Sequence, residues 1–85
     1  MTAGSELPLN GLTESELADL IRRASDELSA RGTREGFAEL LALVTHVGQR
    51  VGDTARILAT SNSWSQVAEI SGTSRQAAWE RWRTT

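Results

Sequence analysis

The sequence predicts an all-α fold, with a helical N-terminal dimerisation part and a C-terminal helix-turn-helix. Three observations lead there. Apolar residues recur every three or four positions through two long stretches. Helix-capping signals stand at each expected helix start. No run alternates between apolar and polar residues as a half-buried strand would.

Residues 1–11 hold Gly4, Pro8 and Gly11 among small polar residues and are read as a flexible tail. Thr13-Glu14-Ser15-Glu16 then forms a capping-box pattern, with Leu17, Leu20, Ile21, Ala24 and Leu28 following at helical spacing. Gly32 closes that helix, which is expected over 14–31. Thr33 is placed to cap the next one. Its stripe is Phe37, Leu40, Leu41, Val44, Val47, Val51, Ala55 and Leu58, interrupted by Gly48 and Gly52 at a spacing of four. A helix of this length has a stripe too long for so small a fold to bury. Either it breaks near Gly48–Gly52, or a second subunit covers part of it, and the second subunit is the favoured expectation. Residues 12–60 are thus assigned to the core and to dimerisation.

Ser61-Asn62-Ser63 breaks the pattern, and 61–85 is assigned to the helix-turn-helix unit. Ser63-Trp64-Ser65-Gln66 reads as a second capping box, followed by a short helix that ends at Gly72. Ser74 caps a last helix running from Arg75 to about Arg83. Ala68 and Ala78 are small where the two short helices should cross. Val67, Ile70 and Trp82 are expected to close a miniature core, with Trp64 at its edge.

At 100° per residue, Gln76, Trp79, Glu80 and Arg83 share the other face of the last helix, with Arg75 at its N-terminal tip. In a helix-turn-helix that face enters the DNA major groove. Arginine can grip guanine O6 and N7, glutamine adenine N6 and N7, and glutamate can accept from cytosine N4. The expected base-reading set is therefore Ser74, Arg75, Gln76, Trp79 and Glu80. Ser63, Ser65, Gln66, Thr73 and Arg83 are expected to hold phosphates, helped by free N–H groups at the helix starts. Arg50 and Arg56 are further phosphate candidates. Trp79 would meet a thymine methyl, a sugar or a neighbouring helix.

Ser63-Trp64-Ser65-Gln66-Val67-Ala68-Glu69-Ile70 and Gly72-Thr73-Ser74-Arg75-Gln76-Ala77-Ala78-Trp79-Glu80-Arg81-Trp82 resemble small actinobacterial helix-turn-helix DNA-binding proteins. Their motif runs roughly S-W-x-x-I-A/G-x-x-L-G-V-S-R-Q-A-A-x-x-R-W/F. Streptomycete nucleoid-associated proteins that bind GATC-type sites are among the small proteins of this kind to which the chain is similar. The resemblance implies a tri-helical DNA-binding unit with Ser74, Arg75 and Gln76 at the DNA. It covers about a quarter of the chain, and 1–33 lie outside it. Ser71 and Thr73 stand where the motif prefers Leu and Val, which makes the turn less apolar.

Composition bounds the alternatives. The 85 residues make one domain at most and carry a net charge of −2. Six acids lie among 1–30 against two arginines, whereas 31–62 and 63–85 are each positive by one. The acidic surplus is therefore away from the motif. All nine cations are arginines, planar forks suited to carboxylate, phosphate or guanine. With no cysteine, lysine or tyrosine and the single histidine His46, an enzyme, a metal site and a disulfide framework are not expected. No cofactor and no small-molecule ligand is expected. Neither a membrane span nor a signal peptide is legible, so the expected location is the cytoplasm, at the nucleoid. The expected partners are double-stranded DNA and a second copy of the chain. The competing reading is a protein-interaction module, an antitoxin or an RNA polymerase-associated regulator, that uses the acidic first helix.

Overall fold

The computed structural model describes residues 8–61 and 63–84. They form four α-helices: α1 (Glu14–Arg31), α2 (Arg34–Ser61), α3 (Trp64–Ser71) and α4 (Arg75–Trp82). A 3-10 turn at Leu9–Gly11 precedes them. Among the described residues there is no strand, and the chain is all-α. Residues 1–7 of the expected tail lie outside the described residues. The chain divides into two compact units, Met1–Leu41 and Ala42–Thr85, with the boundary inside α2.

In the first unit, local signals set every helix end. Thr13 Oγ1 accepts from the Glu16 N–H at 3.1 Å, and the Glu16 carboxylate accepts from the Thr13 N–H at 2.9 Å. The capping box is thus complete. Gly32 ends α1 in the left-handed conformation, φ 59°, which costs glycine nothing. Thr33 Oγ1 then accepts from the Gly36 N–H at 2.9 Å and starts α2. Gly36 packs tightly against the end of α1: a Cβ there would lie 2.8 Å from the Leu28 carbonyl oxygen. The solvent face of α1 carries i,i+4 pairs, Asp19–Arg23 at 3.1 Å and Glu27–Arg31 at 3.0 Å. No side chain of α1 is buried, and Ile21, Phe37 and Leu41 are all more than half exposed.

The second unit holds the core. Ala55 of α2, Val67 and Ala68 of α3 and Ala78 of α4 are buried, with Leu58, Ala59, Trp64 and Trp82 packed around them. Three of the four core residues are alanines because helix backbones approach closely there; Ala78, on the face of α4 that meets α3, is 0% exposed. Ala68, Ala78 and Val67 behave as their spacing predicts. Ile70 does not: it is 69% exposed. On an eight-residue helix the buried arc is only one or two residues wide, and Val67 and Ala68 fill it. Of the two alternatives for α2, the less favoured break does not occur: the helix runs through Gly48 and Gly52 without interruption. Gly52 is buried beside the Trp82 ring, and a Cβ there would meet Cδ1 at 3.6 Å. At Gly48 a Cβ would meet nothing within 4 Å.

Candidate nucleic-acid interface

The α3–α4 turn is three residues long, Gly72 to Ser74. Gly72 adopts φ 74°, and the Thr73 N–H reaches back to the Ala68 carbonyl at 3.0 Å, closing α3 with a left-handed cap. Ser74 Oγ accepts from the Ala77 N–H at 3.1 Å and starts α4. Ser63 does the same for α3, accepting from the Gln66 N–H at 3.3 Å, which is one half of the expected second box. As caps, Ser63 and Ser74 use an oxygen lone pair and keep a hydroxyl hydrogen free to donate.

The two helix starts frame one open concavity of 640 Å³, lined by Ser63, Ser65, Gln66, Ala68, Glu69, Thr73 and Arg75. Five of these are sequence-predicted site residues: Ser63, Ser65, Gln66 and Thr73 from the phosphate set, and Arg75 from the reading set. Hydroxyls, an amide, a carboxylate and a guanidinium form its polar lining. Arg75 is exposed and enters no ion pair among the described residues. Glu69 is the one acid in the lining, a residue the sequence reading left out.

Gln76, Trp79 and Glu80 of the reading set lie along α4, where Gln76 pairs with Glu80 and Trp79 with Arg83 of the phosphate set. The Gln76 amide donates from Nε2 to Glu80 Oε2 at 2.9 Å. The Arg83 guanidinium stacks over the Trp79 ring, 4.6 Å from its centroid. Trp79 is 41% exposed, far more than a core tryptophan, whereas Trp64 and Trp82 are partly buried as core residues should be.

Arg56 departs from its expected role. Its Nη1 donates to the carbonyl oxygens of Trp82 at 3.1 Å and Thr84 at 2.7 Å, and Nη2 pairs with Asp53 Oδ1 at 2.6 Å. The side chain is 23% exposed. A guanidinium so engaged caps the C-terminal end of α4 and is not free to take a phosphate. Arg50 pairs with Asp53 Oδ2 at 2.9 Å but stays 58% exposed.

A second concavity, apolar and of 350 Å³, is lined by Val47, Val51, Ala55, Leu58, Val67, Ile70 and Trp82, with Arg50, Thr54 and Ser71. It lies within the second unit, and Ile70 accounts for part of its wall. The sequence pattern gave no sign of it.

No group of acids and histidines among the described residues is arranged to hold a metal. No helix among the described residues is long and apolar enough to cross a membrane. No family model matches the chain, and no curated protein and no solved structure matches it significantly.

Proposed function

We propose that this chain is a sequence-reading double-stranded DNA-binding protein that works as a homodimer, with α3 and α4 as its helix-turn-helix. In this reading α4 enters the major groove. Arg75 grips guanine, Gln76 grips adenine, and Ser74, Trp79 and Glu80 complete the reading face. Ser63, Ser65, Gln66, Thr73 and Arg83 take phosphates, with the N–H groups that open α3 and α4. The observation that carries the reading is the concavity at the two helix starts, with five of the ten predicted contact residues on one surface and Arg75 unpaired in it. The resemblance of 63–82 to small actinobacterial helix-turn-helix proteins supports it, and with it a role at the nucleoid or in transcription control.

The homodimer follows from the scale of the unit. One eight-residue reading helix makes few base contacts, and two-fold symmetry doubles them. Phe37 and Leu41 in the first unit and Val44, Val47 and Val51 in the second are apolar and exposed, and a partner copy would cover them. Selection from a randomised duplex library tests the DNA reading, and the symmetry of the selected site tests the dimer.

A second reading rests on α1, which buries no residue and carries exposed Glu14 and Asp19. There the chain would be a protein-interaction module. Charge reversal at Glu14 and Asp19 would then abolish partner binding and leave DNA binding unchanged.

A further inference from the structure

The base-reading face expects Glu80 to meet a cytosine, but its carboxylate is engaged on its own helix. Gln76 Nε2 donates to Glu80 Oε2 at 2.9 Å, one turn along α4. We infer that Glu80 is a positioning residue that sets which way the Gln76 amide faces, and so makes Gln76 a reader of adenine. The inference rests on the DNA-binding reading above.

A glutamine amide is nearly symmetric in shape and opposite in chemistry at its two ends. Rotated by half a turn, it presents an oxygen where a nitrogen stood. Adenine N7 accepts and its N6 donates, so the grip needs Oε1 and an Nε2 hydrogen together, on one edge. An unrestrained glutamine on an exposed helix samples both orientations and several rotamers. Binding must then order it, at a cost in side-chain entropy. A carboxylate at i+4 removes much of this freedom. The observed orientation makes a charge-assisted hydrogen bond. The flipped one would set Oε1 against Glu80 Oε2, two acceptors with no proton between them. Nε2 carries two hydrogens, so one can serve Glu80 while the other remains for the base.

The surroundings favour this role over direct readout by Glu80. A lone carboxylate beside DNA phosphates is repelled. Removing it should therefore strengthen binding to every sequence while weakening discrimination at one position. A merely structural residue would not separate those two effects. Glu80 is exposed, so its loss does not open the core.

The test uses the full chain and its Glu80→Ala, Glu80→Gln, Gln76→Ala and double Gln76→Ala/Glu80→Ala variants. Each is titrated against the site that the wild-type chain selects from a random duplex library, and against single-base changes of it. Gln76→Ala should lose about tenfold of the preference for adenine at one position. Glu80→Ala should lose about threefold at that same position and nowhere else, while binding random DNA no more weakly. Glu80→Gln, whose amide can donate as well as accept and so fits either orientation of Gln76, should lose the preference about as Glu80→Ala does, and the double variant should lose no more than Gln76→Ala alone. Unchanged adenine preference in Glu80→Ala, a loss at a different position, or additive losses in the double variant would each overturn the inference. So would a Glu80→Gln variant that keeps the full adenine preference. If the wild-type chain selects no site, the DNA reading itself falls, and this inference with it.

Discussion

Arg56 Nη1 donates to the Trp82 carbonyl oxygen across 3.1 Å, tying the C-terminal end of α4 to α2 over 26 residues of sequence. The same nitrogen reaches the Thr84 carbonyl, and Asp53 anchors the other arm of the fork. Helix ends leave carbonyls without partners, and a cation there is favoured by the helix dipole as well. The short helix α4 is therefore fastened at both ends: by the Gly72–Ser74 turn at its start and by Arg56 at its finish.

Arg56→Ala should destabilise the second unit by about 1–2 kcal/mol, because two carbonyl bonds and an ion pair are lost from a partly exposed site. Thermal unfolding followed by circular dichroism would show a midpoint lower by roughly 4–15 °C. Arg56→Lys should recover only part of this, since a point charge cannot span both carbonyls and Asp53. A full recovery with lysine would mean that the charge alone matters.

Much of this fold is legible in the sequence, for a physical reason. Thr13 with Glu16, Gly32, Ser63, Gly72 and Ser74 act within three or four residues of themselves, so their roles can be read from their neighbours. The Arg56 clamp joins residues far apart in sequence, and no periodicity announces it. Ile70 fails for a related reason: helical spacing gives a direction around α3, but only packing decides how wide the buried arc is. The exposed face of α4 with Gln76, Trp79, Glu80 and Arg83 was legible as a face. That Gln76 binds Glu80, and Trp79 takes up Arg83, depends on side-chain rotamers that spacing does not determine.

Ala78→Leu should be among the most damaging substitutions. Ala78 is 0% exposed in the core shared by α2, α3 and α4, and a larger side chain must push the helices apart. Overpacking of this kind costs about 1–3 kcal/mol. Urea denaturation would read it as a lower midpoint, and α4 would also be displaced from its place beside α3. Ala77→Leu, at an exposed neighbour, serves as the control and should change stability little.

Two glycines should respond to alanine in opposite directions. Gly72 sits at φ 74°, where a Cβ is strained, so Gly72→Ala should cost about 1–2 kcal/mol. Gly48 lies inside α2 in open space, so Gly48→Ala should stabilise the chain by about 0.5–1 kcal/mol. The two variants, compared in one thermal-unfolding experiment, check both signs. If the chain is the proposed homodimer, a Gly48→Ala variant that gains stability but loses self-association would locate the dimer contact at that position.

Arg75→Ala separates base readout from backbone binding. If Arg75 reads guanine, the variant should lose about 1–3 kcal/mol on a selected site and much less on random duplex. Fluorescence anisotropy with both duplexes checks this. Equal losses on the two would assign Arg75 to a phosphate.

We propose α3 and α4 as readers of DNA sequence. Binding of the full chain to a randomised duplex library, at two salt concentrations, with sequencing of the bound fraction, tests it most directly. A helix-turn-helix dimer that reads sequence would enrich a short motif, symmetric about its centre, that persists when higher salt has removed non-specific complexes. No enrichment, together with no retention of duplex at low salt, would contradict it.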